Sequence, residues 1–167
     1  MQTKDAIRYS LTLADMAVTR ALDQVEDIPL AFPTERGGCH PLWIAGHLAF
    51  VEGVTYEILT GRPNPVAEWE ALFGRESVAT ADANRYPTLA EARGRYAELR
   101  RANLEFLDSL SEADLDTPTR TQPPDLEEYF ATYGKALLTI AMHQMTHRGQ
   151  LTDTFRMAGR AERSLAA

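Results

Sequence analysis

Residues 133–158 read YGKALLTIAMHQMTHRGQLTDTFRMA, a stretch without proline that is followed by Gly159. Small and apolar side chains recur along it at steps of three and four residues, which is typical of an amphipathic helix. Gly159 stands in a favourable position to end such a helix. The predicted inward stripe comprises Ala136, Ile140, His143, His147, Gln150 or Leu151, Thr154 and Ala158. The segment therefore predicts a long helix that turns two histidines toward the core.

The N-terminal part of the chain predicts two further helices. Residues 3–26 show the same apolar spacing, and Pro29 and Pro33 stop this first helix. A second helix is expected to open near Pro41, where a proline ring removes no helical hydrogen bond, and to run to Gly61. Its inward stripe comprises Ile44, His47, Val51, Val54 and Ile58. This second helix therefore also turns a histidine inward.

A capping box predicts the start of the remaining long helix, which is expected over residues 88–110. Thr88 and Glu91 have the spacing at which each side chain satisfies the other's backbone amide. Asn103 falls on the apolar stripe of this helix, where it either sets the helix register or forms a hydrogen bond across the core. Of these two roles, the pattern favours the cross-core hydrogen bond.

Long connections separate the four helices. Residues 61–87 contain three prolines, and only residues 66–73, around Trp69, could form a short helix. Residues 111–131 contain three more prolines and no strand-like alternation longer than a few residues. Four long helices without a strand predict an all-α four-helix bundle, with residues 1–167 forming a single domain.

Composition excludes several classes of function. The chain has 167 residues, 44% of them hydrophobic, and its net charge of -7 argues against binding to duplex nucleic acid. Residues 1–29 carry charges among their apolar positions, so no signal peptide is expected. No stretch approaches about 18 consecutive apolar residues, so no membrane span is expected. The lone Cys39 cannot close an internal disulfide, which fits a cytoplasmic location.

The spacing of His143 and His147 is that of two ligands on one helical turn. Residues four apart are rotated by only ~40°, so both imidazoles face one point. The spacing is similar to the HExxH motif of zinc peptidases, but Gln144 stands where those enzymes need a glutamate base. A peptidase is therefore excluded, and a metal site with a third ligand from another helix is expected.

His47 is the expected third ligand because it lies on the inward stripe of the second helix. His40 competes with it, although its place just before Pro41 favours a helix cap or a loop position at the site entrance. Three neutral imidazoles leave a divalent ion one open position, the usual arrangement of a catalytic site. The alternative is that these histidines are hydrogen-bonded core residues.

Other side chains near the pair have less specific patterns. Gln150 lies close to the face of His143 and could either fix a ligand ring or bond a neighbouring helix. Arg148 is turned ~100° from His147 and is expected to be an interhelical or surface cation. Cys39 is expected to be a half-buried side chain rather than a nucleophile. Trp43 and Trp69 are expected in the core or in a pocket wall.

Two segments, GHL at residues 46–48 and HQMTHRGQL at residues 143–151, resemble the DinB/YfiT family. The HxxxHRGQL pattern is the more specific of the two, and the likeness extends to the order of helices, the long second connection and the total length. The resemblance implies a bundle of up-down-down-up topology, frequent homodimers, and a divalent ion, often zinc or nickel, on three histidines. His47, His143 and His147 match those ligand positions.

The resemblance also implies a chemistry, since some relatives are transferases or isomerases in which the metal activates the thiolate of bacillithiol, mycothiol or a similar cofactor. The first hypothesis is therefore a metal-dependent thiol S-transferase whose substrate is a small electrophile. A metal-dependent hydrolase that uses metal-bound water is the second. It lacks an expected proton shuttle, because no Glu or Asp is expected on the inward face with the histidines, and His40 would have to serve. The third is a non-enzymatic, stress-associated metal-binding protein whose ion joins two helices.

Overall fold

Five α-helices make up most of the part of the chain that the structure describes. The structure is a computed structural model that describes residues 1–25, 28–32 and 39–157. In chain order the helices are α1 (Thr3–Asp23), α2 (Pro41–Thr60), α3 (Glu70–Phe73), α4 (Leu89–Ser109) and α5 (Tyr133–Met157). The described residues contain no strand, only an isolated bridge between Pro118 and Thr132. The four long helices and the all-α class predicted from the sequence are confirmed.

The helices pack in a definite order. α1 packs mainly against α5, while α2 packs against both α4 and α5. The short α3 follows a turn of 3-10 helix at Ala67–Trp69 and packs on α2. This is the short helix expected within residues 66–73. The up-down-down-up order of the long helices stays a prediction. None of the helices in the described part of the chain is long and apolar enough to cross a bilayer.

The ends of α2 follow from its sequence. Pro41 occupies the first turn, and Gly61 adopts a left-handed backbone with a φ of 73° while its N–H bonds the carbonyl of Glu57. At the start of α4, the Thr88 hydroxyl accepts the N–H of Glu91 at 3.2 Å, which is one half of the expected capping box. These local signals placed three of the helix ends correctly.

Other predicted ends differ or lie outside the described residues. α1 ends at Asp23 rather than near Glu26, because the N–H of Gln24 already bonds the carbonyls of Ala21 and Leu22 in a tightened last turn. Glu26 and Pro33, and the expected C-terminal end of the last helix at Ala158 and Gly159, lie outside the described residues.

α2 is the central helix of the structure. Every residue from 41 to 50 is buried, so its first half is enclosed on all sides rather than along one stripe. Two clusters of buried apolar side chains surround α2, one after the other along its length. The first, around the first half of α2, includes Trp43, Ile44, Leu48, Phe73 and Leu151. The second, around its last turns, includes Ile7, Leu11, Ile58, Leu107 and Ile140.

Gly46 permits a close approach between α2 and α3. A Cβ added at Gly46 would lie 2.1 Å from Cζ of Phe73, so the phenyl ring would have to move. We expect Gly46→Ala to lower the free energy of unfolding by about 1–3 kcal/mol, the usual effect of overpacking a core. Urea denaturation followed by circular dichroism measures this change.

Gly94→Ala in α4 is the matched control, because an added Cβ there meets no atom within 4 Å. This exposed helical position should gain roughly 0.5–1 kcal/mol from the better helix propensity of alanine. If both substitutions changed stability alike, the close packing of Phe73 on Gly46 would not be the cause.

Candidate metal centre

The three histidines predicted as ligands come together between α2 and α5. Nε2 of His143 lies 3.2 Å from Nε2 of His47 and 3.1 Å from Nε2 of His147. The three side chains each offer one ligand atom, and these atoms all lie within 4.8 Å of one another. Among the described residues, no carboxylate or thiol joins this group. The histidines therefore form a three-nitrogen cluster built from two helices.

Hydrogen bonds on the far side of two rings determine which nitrogens face the cluster. Nδ1 of His47 lies 2.7 Å from the carbonyl oxygen of Phe73, which can only accept, so Nδ1 carries the proton. Nδ1 of His147 lies 2.7 Å from Oε1 of Gln150 and is protonated in the same way. In the neutral rings the Nε2 lone pairs of His47 and His147 therefore point toward His143.

This arrangement fits a divalent ion. Lone pairs that point at one another repel. A cation placed between them would remove this repulsion, because each nitrogen would donate its lone pair to the ion. A metal–nitrogen distance of about 2.0–2.1 Å in a tetrahedral site separates two ligand nitrogens by roughly 3.3 Å, close to the spacings seen here. If the histidines were only hydrogen-bonded core residues, the single Nε2–H of His143 would have to serve both neighbours.

Burial keeps the three imidazoles uncharged. It lowers the pKa of His143 to about 3, with repulsion from His147 and His47 adding to the effect. It likewise lowers the pKa of His147 to about 4, again with a contribution from His47, while the bond to Gln150 opposes the shift. The pKa of His47 is also lowered by burial. Near neutral pH each ring is therefore uncharged and keeps one nitrogen without a proton, which is the state that binds a metal.

The long connection after α2 holds His47 in place. Trp43 stacks on the His47 ring with a centroid distance of 4.6 Å and an angle of 11° between the planes. The Trp43 indole Nε1 donates to the carbonyl of Leu72 at 3.0 Å, next to the Phe73 carbonyl that His47 uses. The carbonyls of the last two residues of α3 therefore fix both rings. Trp43 forms a wall of the site, as expected, and Trp69 is buried in the core.

His40 is a helix cap, the interpretation that the sequence favoured. Its Nδ1 accepts the N–H of Trp43 at 3.1 Å, and its Nε2 donates to the carbonyl of Thr80 at 2.8 Å. The side chain is completely buried. Because both ring nitrogens are bonded, neither is free to bind a metal or to move a proton at the site.

Of the three other side chains considered near the site, Gln150 contacts a candidate ligand, whereas Arg148 and Cys39 are not part of the histidine group. Gln150 bonds the ring of His147, so of its two expected roles it has the one of fixing a candidate ligand. Arg148 is partly buried and lies outside the histidine group. Cys39 is also partly buried and outside that group. Burial raises the pKa of its thiol, which disfavours the reactive thiolate.

No Glu or Asp was expected on the face that carries the histidines, and no described carboxylate joins their cluster, but one carboxylate is buried elsewhere in the core. Glu52 is only 1% exposed. Its Oε1 accepts from Nη2 of Arg100 at 2.6 Å and from Nε2 of Gln144 at 2.7 Å, and its Oε2 accepts from Nδ2 of Asn103 at 2.8 Å. Asn103 thus makes the favoured cross-core bond. A signal was present in the sequence, since Glu52 is the only Asp, Glu, Lys or Arg between residues 41 and 56.

Comparison with known proteins agrees with the resemblance seen in the sequence. A family model described as the DinB superfamily matches residues 10–151, which is most of the chain. No curated protein matches it.

Each of the three clustered histidines should be needed for metal binding. We expect the wild-type protein to hold about one divalent ion per chain, and His47→Ala, His143→Ala and His147→Ala each to lose most of it, because two imidazoles bind more weakly than three. Inductively coupled plasma mass spectrometry on untagged protein measures the stoichiometry.

His40→Asn is the control for these variants, because it changes a buried histidine just before α2 but keeps a residue type that caps helices well. It should retain the wild-type metal content. Equal metal content in all four variants, or no ion in the wild type after supplementation, would show that the cluster is not a metal site.

Proposed function

Because this chain belongs to the DinB superfamily, we propose that it is a divalent-metal-dependent enzyme that transfers a low-molecular-weight thiol, of the bacillithiol or mycothiol kind, to a small electrophile. The observation that carries the proposal is the set of three neutral imidazoles with no fourth ligand among the described residues. Such a donor set leaves room at the ion for an atom of the substrate. Zinc and nickel both suit it.

His47, His143 and His147 would hold a divalent ion without neutralising its charge, and such an ion would lower the pKa of a nearby thiol so that the sulfur could react as a thiolate near neutral pH. The chain's own residues prepare that position. Phe73 and Gln150 hold the Nδ1 protons of His47 and His147, so both rings present unprotonated nitrogens. Trp43 covers one face of His47 and shields it from water.

Transfer of a thiol to an electrophilic carbon needs no acid or base group from the protein. The thiol proton passes to solvent, the sulfur forms a bond to the electrophilic carbon, and the leaving group departs with the electrons of its bond. No side chain has to accept a proton in the transition state. This agrees with the described surroundings of the cluster, where His40 and Glu52 are both fully engaged in other hydrogen bonds.

Hydrolysis by metal-bound water is the less favoured enzyme function, because no described side chain identified at the site is free to act as a general base. A general base within hydrogen-bond reach contributes substantially to such reactions. Among the described residues Glu52 is the buried carboxylate, and three donors already surround it. The described residues therefore favour the thiol reaction.

A structural role for the ion is the non-enzymatic alternative. It is favoured by one observation, that the cluster takes one ligand from α2 and two from α5 and so would tie two helices together. Metal binding would then contribute directly to folding free energy. Activity separates the two roles, because a purely structural ion leaves thiol consumption at the rate of the uncatalysed reaction.

Thiol consumption tests the proposal. We expect the metal-loaded protein to accelerate the loss of bacillithiol or mycothiol in the presence of chlorodinitrobenzene, followed by the absorbance of the thioether product. His147→Ala should reduce this rate by at least about tenfold, which corresponds to ~1.4 kcal/mol of transition-state stabilisation. His40→Asn should retain the activity, and circular dichroism should show unchanged helix content in both variants.

Unchanged turnover in His147→Ala would contradict the proposal. Hydrolysis of model esters without any thiol, lost in the same variant, would instead favour the hydrolase.

A further inference from the structure

A buried carboxylate joins three helices beside the histidine cluster. Glu52 of α2 accepts hydrogen bonds from Arg100 and Asn103 of α4 and from Gln144 of α5. All four residues are at most 3% exposed. Asn103 makes a second bond, from Nδ2 to the backbone carbonyl of Glu52 at 3.0 Å. We call these four residues the Glu52 cluster.

The Glu52 cluster and the histidines share two helices. Gln144 directly follows His143 and precedes His147 by three residues, so it lies on the same turn of α5 as both. Glu52 lies five residues after His47 on α2, roughly 7.5 Å along the helix axis. The bond from Gln144 to Glu52 therefore links α5 to α2 about 1.4 helical turns along α2 from His47.

The histidine cluster needs such a link because it depends on helix register. A slip of one residue moves a helix by about 1.5 Å and rotates its side chains by about 100°. A working metal or catalytic site tolerates only about 0.5 Å. Apolar side chains can repack after one helix slides slightly along another. A carboxylate that is hydrogen-bonded by directional donors from two other helices allows only one relative position of those helices.

The Glu52 cluster is better suited to specifying an arrangement than to adding stability. Among the described residues, Nε and Nη1 of Arg100, Oδ1 of Asn103 and Oε1 of Gln144 have no hydrogen-bond partner. Buried ion pairs with incomplete partners rarely stabilise a fold more than apolar residues of the same size would. Buried polar residues that select one helix register are the best-documented use of such pairs.

We propose that Glu52, through its bond to Gln144, fixes the rotation and register of α5 against α2 and so places His143 and His147 opposite His47. Gln144 is then a positioning residue, which acts on the ion through the histidines and does not touch it. The inference rests on the proposed metal site and assigns a role to a carboxylate that the proposed chemistry does not use.

Two substitutions separate positioning from stability. Gln144→Met removes the bond to Glu52 from the helix that carries two histidines and keeps the length of the side chain. Asn103→Leu removes two bonds to Glu52 from α4, a helix that carries no histidine. If metal binding merely followed the stability of the bundle, Asn103→Leu would weaken it at least as much.

The experiment measures Co²⁺ affinity, the Co²⁺ absorption spectrum in the visible region, and the thermal unfolding of the metal-free protein. We expect Gln144→Met to lower Co²⁺ affinity by about 10–100-fold, the usual effect of losing a group that orients metal ligands, and to alter the spectrum. Asn103→Leu should lower the unfolding temperature at least as much, yet keep the wild-type spectrum and a Co²⁺ affinity close to that of the wild type. Gln144→Leu replaces Gln144→Met if the longer side chain prevents folding.

Equal loss of affinity in the Gln144 and Asn103 variants, or wild-type affinity and spectrum in Gln144→Met, would overturn the inference and leave the metal site intact. A wild-type protein that binds no Co²⁺ would overturn the proposed metal site and this inference with it.

Discussion

The lone pairs of imidazole nitrogens from two helices converge on one point between α2 and α5, and the surrounding structure depends on this constraint. The Nε2 spacings of 3.1 and 3.2 Å are close to those of nitrogens that share an ion. They require neutral rings, defined tautomers and helices in fixed register. Burial supplies the first by lowering the pKa of each histidine. Hydrogen bonds to Phe73 and Gln150 supply the second.

The long connection after α2 is part of the site rather than a link between bundle helices. Its short α3 presents the Phe73 carbonyl to His47 and, one residue earlier, the Leu72 carbonyl to Trp43. Gly46 lets the Phe73 ring approach α2 closely, since any side chain there would meet it. The cap made by His40 ties the start of α2 to Thr80 in the same connection. Packing, capping and ligand orientation therefore share a few residues at one end of α2.

Local sequence rules predicted the helices and the pair of histidines on α5, because helical spacing, Pro41 and Gly61 act within a few residues of themselves. They predicted His47 as well, since a histidine stood on an inward stripe. They missed the role of Phe73, because a backbone carbonyl acceptor leaves no mark in the residue types. They also missed Glu52, whose burial is possible only because Arg100, Asn103 and Gln144, distant in sequence, converge on it. Contacts between helices, unlike helix ends, depend on packing that periodicity does not encode.

X-ray absorption at the metal edge of the loaded wild-type protein tests the central claim most directly, because it counts and identifies the atoms bound to the ion. The account predicts three imidazole nitrogens at about 2.0–2.1 Å, together with one or more oxygen atoms from solvent. A spectrum with one imidazole or none, or one dominated by oxygen ligands, would contradict the claim that His47, His143 and His147 hold the ion together.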